Sequence, residues 1–234
     1  MDHLASASIE ALRLLFSGDP ALWEIVGISF SVSLMAILIA TPMGLGLAFL
    51  LTYARFPGRR LLITVFNTLL SVPAVVVGLT LYILLSRSGP LGDWRLLFTQ
   101  SAMVLGQITL ALPILVSMGH SALQASDRRA WETARTLGSS VPDAVITVVR
   151  EVRFGLLAAL FAAFGRIIAE VGASMMLGGN ILHYTRNIPT AIALETSKGE
   201  FAQGIALGLV LVLLAFVVNA LLHQFQGRGA LVSA

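Results

Sequence analysis

Two residues of opposite charge stand four positions apart inside a stretch of the chain that is otherwise apolar. Arg166 and Glu170 lie within residues 154–177, and on a helix their side chains share one face. A charge in such a helix is costly and usually faces protein or a water-filled cavity. The spacing supports two interpretations: a gate or pathway element that steers an anion, or an internal ion pair that fixes helix packing.

The remaining residue types offer little chemistry. The chain has no cysteine, which excludes disulfides, zinc fingers and iron–sulfur clusters, and its four histidines lack the spacing of metal ligands. Its one lysine, Lys198, follows serine rather than glycine, so a phosphate-binding Walker A loop is absent. We therefore expect no catalytic residue, no metal site and no cofactor, and any ATP must be bound by another chain.

The elements that carry these residues are predicted to be membrane helices. Hydrophobic residues make up 57% of the 234 positions and charged residues 12%, whereas a soluble domain is about 25% charged. Each of four windows without any Asp, Glu, Lys or Arg exceeds the roughly 20 residues needed to cross a bilayer. Together with the stretch that holds Arg166, they predict an all-α bundle of five spans, at about 25–53, 62–85, 97–119, 155–177 and 205–224.

Polar residues also occur within the second predicted span. Asn67, Ser71 and Thr80 lie near Pro73 and Gly78. These residues could kink the helix and line a path, or simply bond to neighbouring helices. We take Asn67 and Ser71 as candidate pathway residues beside Arg166 and Glu170.

The segments outside the spans have distinct compositions. Residues 1–21 place Ala5, Ile9, Leu12 and Phe16 on one helical face, which is typical of an interfacial helix that contacts membrane lipid, although a frayed tail is the alternative. Residues 22–226 form the predicted membrane domain and 227–234 its tail. Nine basic residues fall on the side that holds the 54–61 and 120–153 loops, against five on the other. The positive-inside rule then places the C-terminus in the cytoplasm and the N-terminus outside, and explains the basic pI without nucleic acid.

The 120–153 loop has the pattern of two short helices joined by a glycine turn. A helix that starts at Ser126 or Asp127 is expected to end at Gly138, and a second helix is expected to start at Pro142. Such a compact knob suits docking into a groove on a soluble partner. The alternative is an amphipathic connector that lies on the membrane.

This loop resembles a known family motif. Glu132-Thr133-Ala134, followed by Gly138, is similar to the EAA loop of permeases in ABC importers, with Thr133 in place of the usual alanine. The pattern continues with isoleucine-x-leucine-proline, which falls on residues 148–151, where this chain has no proline. The resemblance extends over about residues 23–226. It implies the type I importer permease fold, a coupling role for Glu132, Thr133, Ala134 and Gly138, and an inner-membrane location.

Other motifs are similar to the oxyanion branch of that family, the tungstate and molybdate permeases. They comprise 164–166 with 170–173, 178–181, 56–59, 86–92 and 16–20, of which the last two favour the tungstate type. The resemblance implies a homodimer that works with a cytoplasmic ATPase and an extracytoplasmic binding protein. The alternatives are a molybdate or sulfate permease, an ion-coupled secondary transporter, a membrane enzyme and a membrane scaffold. A secondary transporter would normally show internal repeats and more intramembrane acids, and the sequence has neither.

Overall fold

The computed structural model describes residues 9, 12–14, 16–125, 131, 133 and 136–230. All regular secondary-structure elements in these ranges are helices, and turns and loops connect them. One of these helices is a single 3₁₀ turn at Gly92–Trp94. The others are α1 (Pro20–Tyr53), α2 (Arg59–Leu69), α3 (Ala74–Leu85), α4 (Gln100–Ala125), α5 (Val141–Ile168), α6 (Gly172–Gly178), α7 (Ile188–Lys198) and α8 (Phe201–Ala230).

The helices confirm an all-α membrane protein and correct two of its spans. Helices α1 and α4 are each long and apolar enough to cross a membrane, and α8 is apolar over Phe201–Val217. The spans expected as single helices at 62–85 and 155–177 are each broken. Helices α2 and α3 meet at 105°, and α5 and α6 at 60°.

The break between α2 and α3 is caused by a proline. Pro73 has no N–H to continue the helix and disfavours the helical conformation of the residue before it, and α3 restarts directly after it. The predicted kink is therefore confirmed. Asn67 lies in the last turn of α2 and Ser71 in the break itself, and both are exposed. Gly78 has another role, because a Cβ there would lie 2.8 Å from the Cα of Ala173 in α6.

The directions of the helices follow from close contacts. Leu115 of α4 fills the space beside Gly44 of α1, and Ala48 of α1 packs against Gly119 of α4. The two helices are therefore parallel. The α2–α3 pair, which connects them in the sequence, must return the chain from the end of α1 to the level at which α1 began. Most of the main core lies between these two helices and α5. It contains Ile28, Val32, Ala36, Ala40, Met103, Val104, Ala111, Leu115, Ala163 and Ile167.

The loop between α4 and α5 is shorter than predicted. Helix α4 continues to Ala125 and α5 begins at Val141, so the connection is 126–140 rather than 120–153. Pro142 lies in the first turn of α5, as expected, but the helix it starts is not a separate short one. It continues through residues 148–151, where the family pattern has proline, into the predicted fourth span.

The N-terminal residues that the structure describes agree with the expected apolar face. Ile9, Leu12 and Phe16 are helical and strongly exposed. Asp19 then caps α1, accepting a hydrogen bond from the Leu22 N–H at 2.9 Å. The contact of this segment with lipid stays a prediction.

Candidate functional site

Arg166 and Glu170 form the expected ion pair. The Arg166 Nη1 donates to Glu170 Oε2 at 2.6 Å, and the Arg166 side chain is 45% exposed whereas that of Glu170 is 6% exposed. The two residues do not share one helix, however. Helix α5 ends at Ile168, so Glu170 lies in the break before α6.

The second oxygen of Glu170 explains why the helix breaks without a proline. Oε1 accepts the Ala173 N–H at 3.1 Å, which satisfies one of the free donors at the start of α6. A buried carboxylate is stable only when it is paired and hydrogen-bonded. Glu170 meets both conditions by bonding α5 through Arg166 and α6 through the backbone, and it thereby holds the two helices at their bend.

Arg166 keeps most of its hydrogen-bonding capacity. A guanidinium has five N–H donors, and within the described part of the chain the only acceptor bonded to Arg166 is Glu170. Nearly half of its side chain remains accessible. This arrangement presents a fixed cation with free donors inside an apolar segment, which is suited to contact an anion transiently.

The two helix breaks lie beside each other. A Cβ on Gly172, the first residue of α6, would lie 2.7 Å from Cγ2 of Val75 in the first turn of α3. The start of α3, just after Pro73, is therefore next to the Glu170 bend. No hydrogen bond between described residues joins Asn67 or Ser71 to the Arg166–Glu170 pair, so their assignment to one pathway stays a prediction.

The coupling residues lie at the other end of α5. Glu132 and Ala134 are outside the described residues. The Thr133 carbonyl accepts the Leu137 N–H at 2.9 Å, and Gly138 then adopts φ of +86°, the left-handed conformation expected of a residue that ends a helix. Ser140 caps α5 by accepting the Asp143 N–H. Gly138 and Arg166 are thus joined by the 28-residue helix α5, which is about 42 Å long at 1.5 Å per residue.

An aromatic cluster at this end was not predicted from the sequence. The rings of Phe49 and Tyr53, on the last turn of α1, lie 4.6 Å apart, and the Trp131 ring is 5.4 Å and 4.9 Å from them. Aromatic pairs at such distances stabilise contacts beyond the apolar area they bury. The cluster fixes the chain immediately before Glu132 to α1. Its sequence signal was the i, i+4 spacing of two aromatic residues near the end of the first span.

The end of α1 is also bonded to its neighbours. The Arg59 Nε donates to the Leu51 carbonyl and its Nη2 to the Thr52 carbonyl, so a cation lies where the helix dipole favours one. The Thr52 hydroxyl is hydrogen-bonded to Nδ1 of His120 in α4 at 2.8 Å. Among the described residues, no cluster of His, Asp and Glu could hold a metal ion.

The chain is similar to known transport proteins over nearly its whole length. Residues 40–228 match the family model described as "Binding-protein-dependent transport system inner membrane component". The chain is 40% identical to the tungstate uptake system permease protein TupB of Campylobacter jejuni, over 97% of this chain and 95% of the relative. It is 30% identical to the molybdenum transport system permease protein ModB of Escherichia coli K12, over 90% and 95%.

A solved structure shows the same fold at low sequence identity. A chain of an amino acid ABC transporter crystallised with histidines matches with a TM-score of 0.64 at 17% identity, over 89% of this chain and 94% of that one. The likeness agrees with the type I importer permease fold expected from the sequence. With the family match, it establishes that the chain belongs to the inner membrane components of binding-protein-dependent transport systems, the permease subunits of ABC importers, and is a translocation subunit rather than an enzyme.

Proposed function

We propose that this chain is the permease of an ATP-driven importer for a tetrahedral oxyanion, and that the oxyanion is tungstate. The observation that carries the proposal is the 40% identity to a tungstate uptake permease over nearly the full length of both chains. The identity to the molybdenum transport permease is ten points lower. Arg166 supplies the chemistry, because its free donors match the oxygens of a dianion.

Membership of the family implies a multi-pass protein of the inner membrane with an ATPase and a substrate-binding protein as partners. We further propose that two copies assemble, since five spans alone enclose no hydrophilic path. The exposed surface of α2, which includes Asn67, the connection that holds Ser71, and α3 would line the path between the copies. In this arrangement residues 1–21 contact lipid outside, 22–226 form the permease domain, and the tail 227–234 is cytoplasmic.

The proposed mechanism uses α5 as a lever. The ATPase binds the loop around Glu132, Thr133, Ala134 and Gly138, and closure of the ATPase pair displaces this loop. Because α5 is unbroken from Val141 to Ile168, the displacement reaches Arg166 as a rigid-body movement. The bend at Glu170 then changes angle, and the path opens alternately to each side of the membrane.

The substrate assignment predicts uptake of tungstate by vesicles that contain the permease, its ATPase and its binding protein. Radiolabelled tungstate should accumulate only with ATP, and excess molybdate should compete better than sulfate. Because tungstate and molybdate are both tetrahedral dianions, discrimination between them is expected to lie on the binding protein. Accumulation of an amino acid with no oxyanion uptake would contradict the substrate while leaving the family assignment intact.

The coupling assignment predicts the effect of Gly138→Val. A β-branched residue is strained at φ of +86°, so the turn before α5 should distort. The protein should still insert, but ATP-driven uptake should fall by at least about tenfold, the effect of about 1.4 kcal/mol on productive docking.

A matched control is Gly18→Val. Gly18 also has positive φ, and a Cβ added there, as at Gly138, would meet no neighbouring atom within 4 Å, but Gly18 lies before α1. Its substitution should leave uptake near the wild-type rate. Equal uptake by the two variants would overturn the coupling role of Gly138.

The pathway assignment predicts an asymmetric response at Arg166 and Glu170. Arg166→Gln strands a buried carboxylate and should destabilise the protein by about 3–5 kcal/mol. Glu170→Gln leaves a half-exposed cation and should cost less. The double variant should recover stability relative to Arg166→Gln, measured by thermal unfolding in detergent, yet take up tungstate at least about tenfold more slowly because the anion contact is missing.

The chain provides a control pair for this comparison. Lys198 binds Glu195 at 3.0 Å, with side chains 49% and 7% exposed, nearly the same asymmetry of burial. The double variant Glu195→Gln/Lys198→Gln should change stability similarly and leave uptake unchanged. If Arg166→Gln/Glu170→Gln restores both stability and full uptake, the pair serves packing alone.

A further inference from the structure

A cavity of about 900 Å³ lies between the end of α3 and the start of α4, at the opposite end of α3 from the Pro73 break. Arg87, Arg95 and Asp93 line it, together with Ser86, Tyr82 and Phe98. Its volume is in the range of ligand-binding pockets, about 300–1,000 Å³. The cavity is separate from the coupling loop and from the Arg166–Glu170 bend. Part of the 86–92 motif lines it, and that motif has no role in the proposed lever mechanism.

The loop that forms this cavity is tightly built. A Cβ on Gly89 would lie 2.1 Å from the Ile83 carbonyl oxygen, and one on Gly92 would lie 2.5 Å from that of Ser86. The Leu91 N–H donates to the Leu84 carbonyl at 2.9 Å, which folds the loop back on α3. Arg95 follows in the left-handed conformation, with φ of 49°. A chain folded this closely fixes the backbone positions of its two arginines.

The loop is also connected to the Arg166–Glu170 bend. The Phe98 N–H donates to the Leu177 carbonyl at the end of α6, at 2.8 Å, and the Phe98 ring packs against Gly179. The other end of α6 is held by Glu170. Helix α6 therefore runs from the bend to the cavity, a distance of about 10 Å for its seven residues.

The charged side chains that line the cavity form no ion pair with each other. Within the described ranges the ion pairs are Arg166–Glu170, His183–Glu24 and Lys198–Glu195. Arg87, Arg95 and Asp93 therefore leave two cations and one anion facing the same space. A guanidinium offers a planar fork of donors that matches two oxygens of a tetrahedral anion.

We propose that Arg87 and Arg95 form a second, low-affinity site for a tetrahedral oxyanion group, at the end of the path opposite to the coupling loop. Its identification with tungstate rests on the proposed function, because the phosphate of a lipid headgroup has the same chemistry. Asp93 weakens the site by repulsion, which lets the ion leave again. The site would receive the anion before it passes along α6 towards Arg166.

A reporter on the loop next to the cavity tests this proposal. The chain has no native cysteine, so Ser88→Cys carries a single environment-sensitive fluorophore beside Arg87. The permease–ATPase complex, in maltoside micelles that contain no phosphate and without the binding protein, is titrated with sodium tungstate. We expect a saturable response that weakens at least about tenfold in Arg87→Gln/Arg95→Gln, as expected for two charge-assisted contacts.

Two further variants serve as controls, one for misfolding of the loop and one for a change in net charge. Asp93→Asn should shift the titration in the opposite direction, by about two- to fivefold, since it removes a nearby like charge. Arg13→Gln removes one positive charge outside the cavity and should leave the titration unchanged.

The source of the oxyanion group is distinguished by a second titration, with phosphatidylglycerol. A response to this lipid but not to tungstate, with the same dependence on Arg87 and Arg95, assigns the site to a headgroup. Absence of a response to both, or a response that the double variant retains, overturns the proposal. The titration needs no transport, so a transporter that imports no tungstate would refute the proposed substrate separately.

Discussion

The bend at Glu170 depends on one buried carboxylate that satisfies two helices at once. A backbone within a membrane cannot leave its N–H groups unpaired, so a helix that breaks there needs a substitute acceptor. Glu170 provides it to Ala173 and takes its own countercharge from Arg166. The break, the buried charge and the half-exposed arginine therefore form a single arrangement, in which the buried carboxylate depends on both of its partners.

The second constraint is the continuity of α5. The family pattern has a proline at the position of Glu151, where it would remove a backbone hydrogen bond and bend the helix. Here the helix passes through residues 148–151 without interruption. In the proposed mechanism, this continuity is what lets a displacement at Gly138 reach Arg166. The aromatic contact of Trp131 with Tyr53 and Phe49 couples the same loop to α1.

Hydropathy predicted where the chain is apolar but not where its helices break. Helices α1 and α4 were predicted to within six residues at each end because both are uninterrupted apolar stretches, and Gly138 was predicted because its conformation is a local property. The break at Pro73 had a local signal, whereas the one at Glu170 depends on a side chain that folds back onto the next helix. The Trp131 cluster joins residues about 80 positions apart, and such a contact requires the packing of α1 against α4 to be known.

The proposed lever mechanism depends on the rigidity of α5, and a distance between two points on this helix tests that rigidity most directly. Spin labels at Ile146→Cys and Gly165→Cys, in dimers that carry one labelled copy, should lie about 28 Å apart along an unbroken helix. Double electron–electron resonance should give this distance both without nucleotide and after the ATPase has been trapped in its closed state. A second distance population in the trapped state, shorter by more than about one helical turn, or 5 Å, would show that α5 bends and would contradict the lever.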